Sequence, residues 1–188
     1  MKGYLLLATL VALFLAGCAV GPKFPPVPDA AFSARGIETI AVQPIVFRDW
    51  GPTTYCERDI ENALRFHLLR DLKAKGYQVV RIARAPLPHS GLPDPLADDS
   101  PANILSQTPE GADAVLVVWI DHYKQFGLCD AVRFRYLEMS ASAILYSLPQ
   151  GEEIWRNRAT VGDYTGTEPV FHVTHHLPWQ LLLTLPER

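Results

Sequence analysis

An unbroken apolar run near the middle of the chain limits the possible folds more than any other segment. From Ala114 to Ile120 the residues are Ala-Val-Leu-Val-Val-Trp-Ile, and no polar residue interrupts them. A strand with one solvated face alternates between apolar and polar residues, whereas a strand covered on both faces does not. We therefore predict that residues 112–123 form a strand at the centre of a sheet, covered on both faces.

The preceding residues have the pattern of a strand, a helix and a second strand. Residues 38–46 and 77–83 are rich in β-branched and apolar side chains, as strands are. Within residues 57–75, apolar residues recur at helical spacing, and Gly76 supplies the expected helix stop. Two strands joined by a helix form a right-handed crossover with parallel strands. This half of the chain therefore predicts a parallel pair.

The following residues predict an antiparallel hairpin. Apolar and polar residues alternate over residues 132–146, a turn follows at residues 149–152, and residues 153–160 supply the partner strand. An apolar tail at residues 177–185 predicts a closing helix despite Pro178. The predicted fold class is α/β (α+β), with a single mixed sheet of about five strands and helices packed on it. The parallel crossover comes first, the hairpin second, and residues 36–188 make one globular domain.

The first 18 residues carry the features of a secretory leader. Lys2 precedes an apolar stretch from Tyr4 to Ala16, which is too short to span a bilayer. The last four, Leu15-Ala16-Gly17-Cys18, resemble the lipobox of bacterial lipoproteins. That resemblance implies a signal peptide over residues 1–17 and lipidation of Cys18; the alternative is an ordinary secretory signal with a chance cysteine.

The residues after the cysteine predict a spacer and indicate which membrane holds the lipid anchor. Residues 18–35 are rich in proline and lack apolar periodicity, so we expect an extended tether between lipid and domain. In the lipoprotein sorting pattern that this segment resembles, an aspartate after the cysteine signals retention in the inner membrane. This chain has Ala19 at that position instead. The resulting expectation is a lipid-anchored protein on the periplasmic face of the outer membrane.

The charge of the chain argues against one class of partner. The formal net charge is −3, and loss of Lys2 with the leader makes it more negative. A nucleic-acid phosphate backbone requires a basic face, and the sequence contains no cluster of lysine and arginine. We therefore predict no nucleic-acid partner.

Two cysteines remain after Cys18 is lipidated. In an oxidising compartment an even pair of thiols tends to form a disulfide, so Cys56 and Cys129 are the candidate bond. Cys56 also lies in the first turn of the predicted helix, where the helix dipole lowers a thiol pKa and makes a reactive thiolate a second interpretation. Two buried thiols are the third.

The polar side of the predicted hairpin is a candidate ligand groove. Tyr136, Glu138, Ser140 and Ser142 alternate with apolar residues, and so they fall on the wetter face of one strand. Aromatic side chains on such a face stack on glycan or hold acyl chains. The alternative is that the aromatics of this chain are core residues.

We predict no catalytic residue, cofactor or metal site. His172, His175 and His176 are the candidate metal ligands of the chain, since imidazole binds zinc and copper, but no His-Glu-x-x-His pattern accompanies them. A solvated or tail-anchoring cluster is the other interpretation. The sequence also lacks a Gly-x-Ser-x-Gly elbow, a phosphate-binding glycine loop and a dinucleotide fingerprint.

The order of elements resembles that of a group of small envelope lipoproteins. The resemblance covers residues 37–161 and includes the strand that opens Gly111-Ala-Asp-Ala-Val-Leu-Val-Val and the hairpin with Gly151-Glu-Glu-Ile-Trp. This group has a domain like the amino-terminal domain of the Tol-Pal translocation protein and is distantly similar to the curli-secretion lipoprotein. Membership implies a transport, secretion or assembly accessory without catalytic residues. A proline-rich loop at about residues 84–101 and the two cysteines, Cys56 and Cys129, depart from the pattern.

The leading hypothesis is therefore a non-enzymatic accessory or assembly subunit of an envelope transport or secretion system. Its expected partners are membrane lipid, through acylated Cys18, and an envelope protein, and a homo-oligomer is compatible with the sequence. One alternative is a carrier that binds lipid or glycan. A second alternative is a metal-dependent enzyme that uses the C-terminal histidine cluster.

Overall fold

The computed structural model describes residues 32, 36–48, 56–83, 104, 106–126, 136–148, 150–163 and 169–188. The predicted signal peptide and all of the predicted tether except residue 32 lie outside these residues. Phe32 is buried among the core side chains, and its ring meets Tyr77 edge to face at 6.4 Å. The packed part of the chain therefore includes a side chain from the stretch that we assign to the tether. No helix in the described ranges is long and apolar enough to cross a membrane.

The first half of the chain forms the predicted strand, helix and strand. The predicted first strand is divided, because Pro44 has no N–H to give to a strand partner. Its two parts both pair with the long central strand, before and after the proline. The elements are β1 (Thr39–Val42), β2 (Val46–Phe47), α1 (Cys56–Ala74) and β3 (Gln78–Arg81).

The second half contains the central strand, the hairpin and the closing helix. The helix begins before the predicted tail segment and continues through Pro178. The elements are β4 (Ala114–Phe126), β5 (Tyr136–Ser147), β6 (Glu153–Asp163) and α2 (Pro169–Leu182).

The strands form one mixed sheet, as predicted. Their order is β3-β1-β4-β5-β6, with β2 also paired to β4. β1 is parallel to β3 and β4, while β4, β5 and β6 are antiparallel neighbours. The fold class is confirmed; the sheet has six strands rather than about five because of the break at Pro44.

Both helices pack on the same face of the sheet. The apolar stripe of α1 contributes Ile60, Leu64, Leu68 and Leu72 to this core, and α2 contributes Val173, Leu177 and Leu181. A smaller apolar cluster lies on the opposite face. The members of that second cluster are Ala41, Val46, Ile104, Val115, Val117, Trp119 and Tyr146. β4 supplies buried residues to both clusters, so the prediction that it is covered on both faces is confirmed.

A buried arginine links α1 to the sheet. Arg65 is almost fully buried, and its Nη2 donates to the carbonyl of Val42 at 2.9 Å and to the carbonyl of Ile82. These carbonyls lie at the ends of β1 and β3, and the carbonyl of Val42 also accepts from the backbone N–H of Ile82 at 3.1 Å. The guanidinium therefore fixes the crossover helix over the parallel pair.

The last residues of the chain pack against the turn between α1 and β3. Tyr77 donates to the carbonyl of Pro186 at 2.8 Å, and Lys75 Nζ donates to the carbonyl of Leu185 at 2.8 Å. Gly76 has a φ of 95°, and a Cβ there would lie 3.3 Å from the Cβ of Arg188. Gly76 is the predicted helix stop, and because it has no side chain it also allows the C-terminal residues to approach closely.

Candidate functional site

A cleft of about 240 Å³ lies on the sheet face opposite the helices. Its walls come from the segment after β2 and from three adjacent antiparallel strands. We call it the arginine cleft, and it is lined by Arg48, Trp119, Ser142, Ala143, Ile144, Arg156, Asn157 and Arg158. Ser142, one of the four predicted groove residues, is therefore part of a cleft.

The strand register brings the lining residues together. Trp119 on β4 is opposite Ser142 on β5, and Ser142 is opposite Arg158 on β6. Arg156 lies two residues before Arg158, so both side chains leave β6 on the same face. Alternate side chains of β5 and β6 therefore face the cleft, while Ala143 belongs to the core on the helix side and Asn157 donates to carbonyls of α2.

Asp121 forms the polar centre beside the cleft. Ser142 Oγ donates to Asp121 Oδ2 at 2.5 Å, the short distance of a hydrogen bond to a charged oxygen. Arg48 Nη1 lies 3.5 Å from Oδ1, and Arg158 Nε lies 3.5 Å from Oδ2. One carboxylate is therefore shared between two guanidinium groups, one from the segment after β2 and one from β6.

The other charged contacts of the cleft are internal. The Cζ atom of Arg48 lies 4.7 Å from the centroid of the Trp119 ring, which is a cation–π arrangement. Arg156 forms a two-pronged ion pair with Glu153, and its Nε donates at 2.5 Å. Hydrogen bonding to Glu153 raises the pKa of Arg156. Two of the three arginines therefore converge on Asp121, and the third is neutralised by its own glutamate.

The other predicted groove residues do not line this cleft. Ser140 is buried and shares a 2.9 Å hydrogen bond with Thr160 across β5 and β6. Glu138 pairs in register with Lys124, nearer the far end of β5. Tyr136 begins β5, and its side chain lies outside the described part. The predicted wetter face therefore carries a polar strip. Among the groove residues whose side chains the structure describes, only Ser142 lines the cleft.

The arginines of the cleft were not among the residues predicted from the sequence. Arg156 and Arg158 are separated by one residue in a predicted strand, which places both on one face, and this spacing was the available signal. Arg48 carries no such signal, because it is brought to the cleft only by the pairing of β2 with β4.

The cysteine predictions fall largely outside the described structure. Cys18 and Cys129 are not among the described residues, and Cys56 is described only as the first residue of α1. The disulfide between Cys56 and Cys129 therefore stays a prediction.

The three C-terminal histidines lie on α2 and are joined by a fourth from α1. His67 contacts His175 edge to face at 5.0 Å, and His172 and His176 are stacked at 6.1 Å. Arg70 Nη1 lies 3.4 Å from His175 Nδ1. Among the described residues, no group of three or more histidines, cysteines or carboxylates has a metal-binding arrangement.

The environment of His67 disfavours its charged form. Burial lowers the pKa of His67, and the nearby charges of Arg70 and His175 lower it further, while Asp71 acts in the opposite direction. Its Nδ1 is buried and has no hydrogen-bond partner in the described part of the chain. This imidazole is therefore favoured in its neutral form.

The same helix pair exposes large apolar side chains. Phe66 on α1 and Phe171, Trp179 and Leu183 at α2 and its end are each more than half exposed. Phe66 contacts His67, and Phe171 stacks on His175 at 5.8 Å. Trp179 and Leu183 follow His175 at intervals of four residues, which places them on the same side of α2. We call this set of side chains the aromatic surface; it comprises Phe66, His67, Phe171, His172, His175, His176, Trp179 and Leu183.

Solved structures share this fold. PelC from Paraburkholderia phytofirmans, described as a dodecamer, superposes with a TM-score of 0.54 at 18% identity, over 82% of this chain and 91% of that chain. The hypothetical protein CT253 from Chlamydia trachomatis gives 0.51 at 10% identity, over 79% and 95%. The lipoprotein GNA1162 from Neisseria meningitidis gives 0.46 at 18%, over 67% and 83%.

Sequence comparisons add no relative. No protein-family model matches the chain, and no curated protein matches it. At these identities the structural likeness shows the fold of the chain, and the resemblance to the Tol-Pal amino-terminal domain stays a prediction.

Proposed function

We propose that this protein is a non-enzymatic accessory or assembly subunit of an envelope transport or secretion system. Acylated Cys18 anchors it to the periplasmic face of the outer membrane, and the folded domain acts by binding other proteins. The sequence Leu15-Ala16-Gly17-Cys18 supports the anchor.

The observation that carries the binding role is the aromatic surface. Exposed apolar patches on a folded protein mark interaction sites when the side chains are contiguous rather than scattered. Phe66, Phe171, Trp179 and Leu183 lie on one helix pair, and aromatic side chains are enriched where proteins meet. Solubility alone does not favour large apolar side chains on a surface, so their exposure on this helix pair supports a binding role.

A second copy of the chain is the occupant that we propose for the aromatic surface. The PelC structure with this fold is described as a dodecamer, which supports assembly from identical copies. Homo-oligomers are the commonest soluble assemblies, and an apolar surface suits a contact between them. The oligomer would then present several lipid anchors to one membrane, which strengthens attachment.

Affinity isolation from crosslinked native envelopes tests the proposed function. The full-length lipidated protein is compared with Cys18→Ala, and mass spectrometry identifies everything retained. We expect specific transport, secretion or surface-assembly components together with crosslinked copies of the chain, and we expect the components to be lost in Cys18→Ala. Recovery of the protein without such components would contradict the accessory role.

A carrier for a small ligand is the second candidate function. The arginine cleft favours it, because polar and charged groups converge there beside apolar side chains. Native mass spectrometry of protein purified from envelopes separates the two candidates. A reproducible bound molecule supports the carrier, whereas crosslinked copies without a ligand support the assembly subunit.

A further inference from the structure

We propose that His172 and His176 of α2 bind a zinc ion, and that the same pair from a second copy of the chain supplies the other two ligands. The inference rests on the proposed self-association through the aromatic surface, to which both histidines belong. It departs from the sequence-based prediction of no metal site, and it gives the ion a role in assembly rather than in catalysis.

The two histidines have the spacing of a helical metal chelate. His172 and His176 are four residues apart on α2, so their side chains leave the same side of the helix one turn apart. Their ring planes are parallel within 1°, and the ring centroids are 6.1 Å apart. In the His-Glu-x-x-His motif, two histidines at this interval bind one zinc ion. Val173 takes the place of the catalytic glutamate of that motif, so the pair offers ligands without a general base.

Both imidazoles are available as ligands. The side chains of His172 and His176 are exposed. Within the described part of the chain they contact other aromatic rings, and no hydrogen bond or ion pair occupies a ring nitrogen of either one. An exposed imidazole can turn about its side-chain bonds until one nitrogen reaches the Zn–N distance of about 2.0–2.1 Å. Binding therefore breaks no internal contact of these nitrogens.

The neighbouring histidines do not complete the site. The Nδ1 atom of His175 lies 3.4 Å from Nη1 of Arg70, so a positive charge lies beside that imidazole. His67 is half-buried and packs edge to face on His175. Among the residues that the structure describes, no third histidine, cysteine or carboxylate forms a metal-binding group with the pair. A structural zinc ion takes four ligands, so one copy of the described chain lacks two of them.

A second copy of the chain is the source that we assign to the two missing ligands. In a two-fold contact, the same surface of both copies meets around the axis, so a pair of side chains at the axis meets its own equivalent. Two copies of the pair then supply four imidazole nitrogens. Four ligands of this kind match the tetrahedral coordination of zinc.

The side chains around the pair suit a contact between copies. His172, His176, Trp179 and Leu183 follow one another at intervals of four, three and four residues, the spacing of a helix face that packs against another helix. Phe171 contacts His172 at 5.9 Å and, like Trp179 and Leu183, is more than half exposed. A contact centred on the ion therefore covers apolar side chains beside it. Because the ion binds only the assembled form completely, zinc favours assembly by mass action.

Zinc binding to the full-length protein, purified in a non-ionic detergent without a polyhistidine tag, tests the site. Isothermal titration with ZnCl₂ measures affinity and stoichiometry, and MgCl₂ is the matched control because Mg²⁺ prefers oxygen ligands. We expect one zinc ion for two chains and no binding of magnesium. Substitution by Co²⁺ reports the geometry, because its visible absorption is strong in a tetrahedral site and weak in an octahedral one.

A variant with one imidazole removed tests which residues bind the ion. We expect His176→Gln to weaken zinc binding about tenfold or more, because even the loss of a group that only orients a metal ligand costs about 10–100-fold. His122→Gln is the matched control, since His122 lies on β4 rather than on the helix pair. Circular dichroism establishes that both variants keep the fold.

Sedimentation velocity in zinc and in EDTA separates this inference from the proposed function. We expect zinc to shift the wild-type protein toward dimers, and we expect no such shift in His176→Gln. Association that is equal in zinc and in EDTA would overturn the zinc site and leave the self-association in place. A monomer that binds zinc one to one, with the weak cobalt absorption of an octahedral site, would overturn both. Absent zinc binding, or unchanged binding in folded His176→Gln, would remove the pair as the site.

Discussion

The guanidinium of Arg48 lies over the indole ring of Trp119, with 4.7 Å between its Cζ atom and the ring centroid. Trp119 is buried in the second apolar cluster, while Arg48 is partly exposed at the surface of the cleft. A cation over an aromatic face is attracted by the ring quadrupole, and its aliphatic stem covers apolar surface. Arg48 therefore has a structural role in addition to its contact with Asp121.

A matched pair of arginine variants separates these two roles. Arg48 and Arg158 both lie 3.5 Å from Asp121, and Arg48 also lies over the Trp119 ring. We expect Arg48→Ala to lower the free energy of unfolding by about 0.5–1 kcal/mol more than Arg158→Ala, the value of an exposed cation–π contact. Urea denaturation of the two variants measures the difference. Equal losses would show that stacking on Trp119 adds no stability.

A second prediction concerns the packing between the sheet and α2. Trp155 is fully buried, and its Nε1 donates to Thr184 Oγ1 at 3.3 Å. We expect Trp155→Ala to cost about 3–5 kcal/mol, because a large cavity remains and a hydrogen bond is lost. Trp179→Ala is the control, since that side chain is 52% exposed. Thermal or urea unfolding that gave similar losses for both variants would contradict the burial of Trp155.

The fold could be predicted because its elements have clear periodicity. The apolar run of β4, the helical spacing of α1 and the alternation of β5 each reflect which faces are buried, and the sheet follows from their order. The division of the first strand could also be anticipated from Pro44, whose missing N–H limits pairing. The packing of both helices on one face of the sheet could not be predicted. The apolar stripe of a helix shows that it is buried, but not which face of the sheet it packs against.

The sequence could predict only the part of the candidate site whose position follows from the residue pattern of a single strand. Ser142 was identified from the alternation of β5, which places it on the wetter face. The cleft also needs Arg48, Trp119 and Arg158, which belong to three separate segments. Their proximity depends on sheet order and register, so no local pattern shows it. The contact between His67 and His175 is also tertiary, because the residues lie on different helices.

A third prediction tests self-association through the aromatic surface. We expect replacement of Phe171 and Trp179 by serine to shift the purified protein toward monomers, because each loses about 1.5–3 kcal/mol of apolar burial if the contact forms. Sedimentation velocity at several concentrations measures the shift. Val80→Ser is the control, since Val80 is exposed on β3, away from the helix pair. Assembly that survived the double variant would exclude this surface.

A fourth prediction concerns the two remaining cysteines. In the oxidising periplasm we expect Cys56 and Cys129 to be bonded, so alkylation should modify neither thiol before reduction and both after it. Reduction should lower stability by about 2–4 kcal/mol. Mass spectrometry of the alkylated protein measures the pairing directly. Two alkylated thiols without reduction would show free cysteines, and a single modified site at Cys56 would favour the reactive thiolate.

The last prediction is a dependence of stability on pH at the helix pair. The folded protein lowers the pKa of His67, chiefly through burial and then through Arg70 and His175, whereas the ordinary value of about 6.5 applies to the unfolded chain. Between these two values the unfolded state binds more protons than the folded state. The free energy of unfolding therefore rises with pH in this window, and the contribution of His67 is lost as the pH falls below about 6.5.

Urea denaturation between pH 7.5 and 5.5 measures this dependence. We expect His67→Gln to flatten the acid side of the curve, because glutamine does not titrate and the desolvated imidazole is gone. His172→Gln is the comparison, since that ring is exposed on the same helix pair and should leave the contribution of His67 intact. Because His175 and Arg70 contact the same site, Arg70→Gln should reduce the slope in part. A wild-type slope retained in His67→Gln would show that another group titrates in this range.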